Sequence, residues 1–245
     1  MPDGGFHGFS QNTIEFLSDL KANNTKSWFE DHKRAYTEYV LKPAQSLISE
    51  LSGFMLAIDP YLETSPAVGK TISRIYRDTR FSKDKSPFRT HIWITFKRLR
   101  KGWIDAPAFF FELTPVSYRY GMGFYSAAKD TMDTFREMID NDPGEFKRAV
   151  SFYAEQRKFI IEGDRYKKRL DPSKPDDILD WYQRKNLYLV CNCAIDNRLF
   201  GYELVSDLTE GFNQLKDLYH YLYKIKSIQN SSGRSGDEYE FRKRY

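Results

Sequence analysis

Cysteine and long apolar runs are both scarce in this sequence, and each shortage excludes a class of protein. The 245 residues include two cysteines, Cys191 and Cys193, which is too few for a disulfide-stapled scaffold. No apolar run approaches the roughly 18 residues that a membrane span requires. The first ten residues contain no basic stretch followed by an apolar one, so we expect no secretory signal. These shortages predict a soluble, cytoplasmic protein with no membrane partner.

Motifs typical of metal and nucleotide sites are missing as well. The sequence has no HExxH motif, no paired CxxC motifs and no acidic triplet with metal-ligand spacing, so we expect no metal site. A disulfide between Cys191 and Cys193 would close a strained loop, which predicts two reduced thiols on one face of a strand. Gly121 and Gly123 lack the remaining residues of nucleotide fingerprints; in a strand they permit a bulge or a close approach of the backbone, and a bulge is the favoured interpretation. No motif identifies a cofactor.

Positive charge is concentrated in one part of the chain. The composition is that of a globular protein, with 40% hydrophobic and 29% charged residues. The formal net charge is only +4, yet the segment 70–101 holds 11 basic and 2 acidic residues. The rest of the chain is therefore net acidic. A bound anion is expected first at this basic segment.

Hydrophobic periodicity predicts helices at both ends of the chain and strands between them. Helical spacing dominates before residue 59, with Pro43 expected to kink or break a helix. Besides a β-prone stretch at 72–76, strands are predicted at 91–96, 108–115, 118–125 and 187–195. Close spacing of these strands predicts an α+β fold, with a mostly antiparallel sheet in the middle of the chain flanked by N-terminal and C-terminal helices. We expect a single domain over 8–228 and a flexible, charged tail over 229–245.

The most informative segment is RIYRDTRFSKDKSPFRTH, residues 74–91. It combines guanidinium forks that fit phosphate or carboxylate groups, ammonium point charges, and a histidine that titrates near neutral pH. The candidate anion ligands are Arg74, Arg77, Arg80, Lys83, Lys85, Arg89 and His91. Two acids in the segment, Asp78 and Asp84, either orient some of these cations toward a ligand or neutralise them in a structural salt-bridge network. The residues alone leave both interpretations open.

Residues outside this segment are candidates for supporting roles. Along one face of the second predicted helix, as expected for a core or pocket wall, three side chains recur at intervals of four residues: Trp28, His32 and Tyr36. We expect that helix to begin near Asn24 or Thr25, and within it Ser27 and Glu30 have the spacing of a capping box. Glu112 shares a strand face with Phe110, and a buried carboxylate there requires a cationic partner. We expect an arginine of the basic segment to be that partner.

Residues 74–91, taken with FSQNTIEFLSDLKANNTKSWFEDHKRAY upstream, resemble the family catalogued as domain of unknown function 2461. The resemblance extends over residues 9–226. Matching positions outside the basic segment are Phe16, Leu17, Leu20, Asn23, Asn24, Trp28, Phe29, Lys33 and Tyr36. The family has no established activity. The resemblance implies that several charged residues form a functional cluster: Arg74, Arg77, Asp78, Arg80, Asp84, Lys85 and His91. Glu112 stands where His or Gln often occurs in the family, which argues against a fixed catalytic group there.

Three functions are compatible with the sequence. The first is binding, with or without turnover, of a small anionic molecule carrying phosphate or carboxylate, and it predicts that the cations converge on one concavity with Trp28, His32 or Tyr36. The second is nucleic-acid binding, in which the basic segment meets phosphates and exposed aromatic side chains stack on bases. The third is a non-catalytic structural or interaction protein, in which the cluster rigidifies a loop. We favour the first.

Overall fold

A computed structural model describes residues 5–99 and 103–231, and its central element is a five-stranded antiparallel sheet with strand order β1-β2-β3-β5-β4. The strands are β1 Ile92–Phe96, β2 Pro107–Leu113, β3 Ser117–Phe124, β4 Ile160–Glu162 and β5 Tyr188–Ala194. The helices are α1 Gln11–Ala22, α2 Lys26–Tyr36, α3 Lys42–Ile58, α4 Lys129–Asn141, α5 Pro143–Ala149, α6 Asp176–Tyr182 and α7 Glu203–Ser231. The predicted α+β class is confirmed, with helices at both ends of the chain.

Two parts of the sheet differ from the sequence prediction. The stretch at 72–76 is not a strand; its isolated antiparallel bridges are Ile72 with Ile94 and Tyr76 with Phe88, and Ile72 also forms a parallel bridge with Val68. The ladder cannot extend beyond the second bridge in the regular pattern, because Pro87 has no N–H to donate. The short strand β4 was not predicted, since three residues carry too little alternation to be recognised in a sequence.

Helix α7 packs across one face of the sheet and forms the main core with it. Phe109 on β2 contacts Phe212 and Tyr219 of α7, with ring centroids 5.2 Å and 4.9 Å away. Alternate residues of β2, beginning with Phe109, belong to this core, as their alternation predicts. The residues between them, including Glu112, face the opposite side of the sheet, where the candidate site lies.

Two glycines on β3 allow the neighbouring strand to approach closely. A Cβ atom at Gly121 would lie 1.9 Å from the carbonyl oxygen of Leu189, and one at Gly123 would lie 2.4 Å from the Cα atom of Tyr188. The pairing of β3 with β5 runs without interruption from Ser117 to Gly123, so the favoured bulge is wrong and the alternative, a close approach of the backbone, is confirmed. Glycine is required at these positions because β5 occupies the space that a side chain would fill.

The second helix begins next to its predicted start near Asn24 or Thr25. Thr25 caps α2, and its hydroxyl accepts a hydrogen bond from the N–H of Trp28 at 3.3 Å. The predicted capping box of Ser27 with Glu30 is wrong, because α2 begins at Lys26 and Ser27 already lies within its first turn. The preference of threonine for the cap position decides the start of this helix.

Pro43 interrupts the helical stretch as expected. A carbonyl group at this interruption forms a hydrogen bond with α1. A π-helical turn, Thr37–Leu41, connects α2 to α3, and Pro43 lies in the first turn of α3. Proline has no N–H for the carbonyl four residues earlier, which is that of Tyr39. The hydroxyl of Thr13 donates to that carbonyl at 2.5 Å instead. This bond ties α1 to the helical turn that precedes α3.

Helix α7 is the longest helix of the described residues and continues to Ser231, inside the segment 229–245 that the sequence predicts as a flexible tail. The remainder of that segment, 232–245, lies outside the described residues. Neither α7 nor any other described helix is long and apolar enough to cross a membrane.

A side chain between α1 and α2 anchors the basic segment to the helices. The Asn24 carboxamide accepts a hydrogen bond from the Phe88 N–H and donates one to the Phe88 carbonyl, both at 3.0 Å. The amide thus pairs with the backbone of Phe88 as a neighbouring strand would. Phe88 itself is buried against Phe29 of α2, with ring centroids 4.3 Å apart.

Asn24→Ala removes both bonds and leaves the backbone groups of Phe88 without these partners, so we expect the free energy of unfolding to fall by about 1–3 kcal/mol. The matched control is Asn23→Ala, since the exposed Asn23 side chain donates to the carbonyl of Asp19 within its own helix end. Urea unfolding of both variants and the wild type measures the difference. Equal losses in the two variants would contradict the anchoring role of Asn24.

Candidate functional site

The basic segment is a ribbon whose base is fixed by backbone bonds. Its two arms run antiparallel, with the N–H of Arg77 donating to the Pro87 carbonyl at 2.8 Å. The N–H of Arg89 donates to the Ile75 carbonyl at 2.7 Å. Because the backbone is fixed at both positions, the side chains of Arg77 and Arg89 are held near the base of the ribbon rather than at its tip.

At the tip of the ribbon, residues 78–86, some of the charged side chains bond to other groups of the tip. Asp78 accepts hydrogen bonds from the Arg80 guanidinium, from Nε at 2.9 Å and from Nη2 at 2.6 Å. These bonds lower the pKa of Asp78 to about 2. Lys85 donates to the carbonyl of Thr79 at 2.8 Å. Two of the predicted anion ligands, Arg80 and Lys85, therefore bind groups of the tip itself.

Asp84 joins the tip of the ribbon to Arg77. Its Oδ1 atom accepts bonds from the hydroxyl and the N–H of Ser86, at 2.6 Å and 2.9 Å. Its Oδ2 atom accepts a bond from Nη1 of Arg77. The bonds from Ser86, and then the bond from Arg77, hold the pKa of Asp84 below its usual range. The ionised carboxylate thus holds one edge of the Arg77 guanidinium.

The charges of three arginines act on His91 at the base of the ribbon. Burial is the first cause that lowers the pKa of the His91 imidazole. The Glu112 carboxylate opposes this shift, whereas the positive charges of Arg89, Arg119 and Arg77 all lower the pKa further. His91 is therefore a neutral imidazole at pH 7, set among cations.

The buried carboxylate of Glu112 lies between this imidazole and Arg119. Its Oε1 atom is 3.9 Å from Nε2 of His91, and its Oε2 atom accepts a hydrogen bond from Nε of Arg119. Glu112 is 8% exposed, so an unpaired charge there would be costly. A cationic partner is present as the sequence requires, but it comes from β3. The predicted partner, an arginine of the basic segment, is wrong.

Sequence reasoning missed Arg119, although a cross-strand argument would have found it. Strands β2 and β3 are antiparallel neighbours, and their register places Glu112 directly opposite Arg119. Directly opposed side chains are close enough for charge pairing. The Arg119 guanidinium also lies 5.7 Å from the centre of the Trp93 ring on β1, within the range of a cation–π contact. Three adjacent strands thus fix the position of this arginine.

Arg89 differs from the other two arginines of the cluster, because its guanidinium has no partner within the described residues. Arg77 pairs with Asp84, and Arg119 pairs with Glu112. The Nε atom of Arg89 is buried and forms no hydrogen bond with a described residue. The cluster thus contains one cation whose N–H groups the described chain does not match with acceptors.

An open concavity is lined in part by Tyr188, a residue on which the charge of Arg119 acts. Its volume is about 490 Å³, and its lining includes Glu162, Asp164, Arg184 and Tyr188. The Tyr188 hydroxyl donates to Glu162 at 2.9 Å, and burial is the first cause that raises the pKa of this tyrosine. The charges of Arg119 and Arg184 both oppose that increase. Tyr188 therefore lies between the cation cluster and the concavity.

The predicted face of α2 does not join this cluster. Trp28 stacks on His32 with ring centroids 4.0 Å apart, and His32 is exposed, so of its two predicted positions, core or pocket wall, the core is wrong. Tyr36 is buried against Phe16 and Phe29, and this burial raises its pKa. No hydrogen bond or ring contact among the described residues links these three predicted side chains to the cations. The ribbon meets α2 at Phe29 instead, and adjacent helical residues point about 100° apart.

Other predicted ligands lie outside the cluster. Arg74 and Lys83 are exposed and form no ion pair with a described residue. Phe81, at the tip of the ribbon, is 75% exposed. Among the described side chains there is no group of three or more His, Cys, Asp or Glu that could hold a metal ion. The basic segment therefore divides into an exposed tip and a partly buried base.

These features define an α+β protein with a partly buried cluster of cations on the open face of its sheet. The family model described as "Conserved hypothetical protein (DUF2461)" matches residues 12–221. The chain belongs to this family, which confirms the resemblance in its sequence. A search of curated proteins finds no match. Because family membership brings no activity with it, function has to be argued from the site.

The lowered pKa of His91 has a consequence for stability. The unfolded chain protonates this imidazole near its usual pKa of about 6.5, whereas the folded protein resists protonation. The free energy of unfolding therefore falls as the pH drops below that value.

We expect His91→Gln to lose less stability than the wild type between about pH 7.5 and pH 5, measured by urea unfolding. His7→Gln replaces an exposed histidine and is the control. A wild-type pH dependence in His91→Gln would contradict the account.

Proposed function

We propose that the protein binds a small anionic molecule that carries a phosphate or carboxylate group. The proposed site is the cluster at the base of the ribbon, where Arg89 and Arg119 bind the anion, His91 forms a hydrogen bond with it and Arg77 adds positive charge. The observation that carries the proposal is the Arg89 guanidinium, whose charge acts on His91 together with those of two other arginines and whose buried Nε has no acceptor among the described residues.

An arginine in this situation destabilises the folded protein while the site is empty. A buried polar group without a partner costs about 1–3 kcal/mol, and the neighbouring like charges repel it. An oxyanion supplies acceptors that match the fork of a guanidinium and reduces the repulsion at the same time. The penalty is therefore removed on binding, as expected for a ligand site and not for a complete salt-bridge network.

The pairing within the ribbon supports a division of roles between its tip and its base. Asp78 pairs with Arg80, and Asp84 with Arg77, so the tip contains the kind of structural network that the sequence left open. At the base, Arg119 and a neutral imidazole flank the buried carboxylate of Glu112, and the charges of Arg77 and Arg89 also act on that imidazole. Positive charge thus accumulates where the sheet partly excludes solvent. An anion gains more from charge there than at an exposed tip.

The surroundings of the cluster suit an anion attached to a larger polar body. Trp93 and Phe110 stack with ring centroids 5.1 Å apart beside Arg119, which gives the cluster an apolar floor. The neighbouring concavity of about 490 Å³ falls within the range of small-molecule sites, about 300–1,000 Å³. Glu162 and Arg184 line it and offer both an acceptor and a donor. A ligand with hydroxyl or amino groups would extend from the cluster into this space.

Arg89→Met keeps an unbranched side chain and removes the guanidinium. We expect this variant to bind inorganic pyrophosphate at least about tenfold more weakly than the wild type, because a hydrogen bond to a charged group contributes about 1.5–3 kcal/mol. The matched control is Lys83→Met, which removes the same charge from an exposed position and should bind like the wild type. Isothermal titration calorimetry at constant ionic strength measures both affinities.

Two results would contradict the proposal. If no phosphate, sugar phosphate, nucleotide or dicarboxylate raises the unfolding temperature, and Arg89→Met only lowers it, the cluster is a structural network. If DNA or RNA oligonucleotides bind at low ionic strength and Lys83→Met weakens them as much as Arg89→Met, the exposed tip is a nucleic-acid surface. A loss confined to Arg89→Met, with small anions as ligands, supports the proposed site.

A further inference from the structure

The two cysteines of the chain lie side by side on β5, outside the cation cluster. Their Sγ atoms are 3.5 Å apart. Both Cys191 and Cys193 are free thiols, as the sequence predicts, with Cys191 buried and Cys193 partly exposed. Because two oxidisable sulfurs are in contact, one bond-forming step separates them from a disulfide.

The backbone around this pair has a neighbouring strand on one side only. Strand β3 pairs with the whole of this region and places Tyr120 opposite Cys191 and Tyr118 opposite Cys193. Strand β4 pairs with β5 at Tyr188–Val190 and no further, so within the described residues the cysteine half of β5 is one-sided. A strand with one neighbour accommodates a local shift of the backbone more easily than a strand with two.

The surroundings favour a thiolate on one sulfur and a thiol on the other. The hydrogen bond from Cys193 is the first cause that lowers the pKa of Cys191, to about 7, and it outweighs the effect of burial. The charge of Lys158, which lies 5.8 Å from the centre of the Tyr120 ring, lowers that pKa further, and Asp207 opposes it. The same bond raises the pKa of Cys193. Cys191 is thus the nucleophile of the pair.

We propose that Cys191 and Cys193 form a redox pair that a hydroperoxide converts into an intramolecular disulfide. The Cys191 thiolate attacks a peroxide oxygen, the O–O bond breaks, and the leaving alkoxide or hydroxide takes a proton from solvent. Cys191 is then a sulfenic acid. The Cys193 sulfur attacks Sγ of Cys191, the S–S bond forms, and the sulfenic hydroxyl leaves as water with the proton of Cys193. The two thiols lose two electrons, and the hydroperoxide is reduced to an alcohol, or to water if it is hydrogen peroxide, plus one water.

The spacing along β5 makes this disulfide easy to reduce. Residues two apart in a strand have Cα atoms about 6.4–6.8 Å apart. This separation is at the upper end of the range that disulfides usually span, about 4.4–6.8 Å. The bond can therefore form, but with strain, and strained disulfides are the labile ones. A hydroperoxide therefore oxidises the two thiols to the disulfide, and a dithiol reductant reduces it to thiols again.

Limited oxidation of the full chain tests the proposal directly, because the sequence contains no other cysteine. The protein is treated with a slight excess of hydrogen peroxide, quenched with catalase, denatured, alkylated with iodoacetamide and weighed by mass spectrometry. We expect both alkylatable thiols to disappear in a monomeric product. We expect both thiols to return after treatment with dithiothreitol.

Two serine variants separate the steps of the reaction. Cys193→Ser keeps Cys191 and a hydroxyl beside it. We expect its oxidation to stop at a sulfenic acid that dimedone traps, because no second thiol is present to form the disulfide. Cys191→Ser removes the bond that is the first cause of the raised pKa of Cys193 but keeps the burial that also raises it, and we expect the Cys193 thiol to react about tenfold more slowly than Cys191 does in Cys193→Ser. Equal rates for the two variants would contradict the assignment of Cys191 as nucleophile.

Three results with the wild type would overturn the redox pair itself. They are the persistence of two alkylatable thiols, a disulfide-linked dimer, and irreversible oxidation to sulfinic acid without an intramolecular bond. The wild-type measurement needs no variant to fold. It also counts thiols and not bound anions, so its failure would leave the proposed anion site untouched.

Discussion

The buried carboxylate of Glu112 is the charge around which the candidate site is arranged. A carboxylate so little exposed has to be paired, and the register of β2 with β3 places Arg119 directly opposite it. The same carboxylate opposes the lowered pKa of His91, which precedes β1. Pairing within the sheet therefore fixes where one cation and one titratable ring lie. The basic ribbon then adds two more arginines beside this fixed pair.

The cations of the ribbon differ in whether they have an acidic partner. At the tip, Asp78 and Asp84 lie within a few residues of the cations that they bind, and these local bonds form a network that gives the loop its shape. At the base, Arg89 has no such partner among the described residues. A count of charges in the segment could not distinguish these two parts. The two parts differ in whether the folded ribbon brings a carboxylate next to each cation, as it does for Arg77 and Arg80.

Patterns within short stretches of sequence predicted most of the fold. The alternation in β2 identified which residues face α7, although the residues on both faces of this strand are buried. The expected kink at Pro43 followed from the missing N–H of proline. The tightly spaced strands predicted the antiparallel sheet, since hairpin connections leave no room for a crossover helix.

The site was harder to predict because its contacts join distant parts of the chain. Asn24 anchors Phe88 across 64 residues, and no local pattern indicates such a pairing. Arg119 depends on hairpin register, which the sequence analysis did not apply to Glu112. Periodicity placed His32 on a helix face but could not show which face would be covered, and the ribbon packs on Phe29 instead.

The central claim is that Arg89 and Arg119 bind an anion beside His91. Nuclear magnetic resonance of the arginine Nε–Hε groups tests it most directly, during a titration of the full chain with inorganic pyrophosphate. The expected result is saturable shifts with one midpoint at Arg89 and Arg119, and a much smaller shift at Arg80, which Asp78 already holds. Shifts of equal size at all three arginines without saturation, or a shift largest at Arg80, would contradict the site.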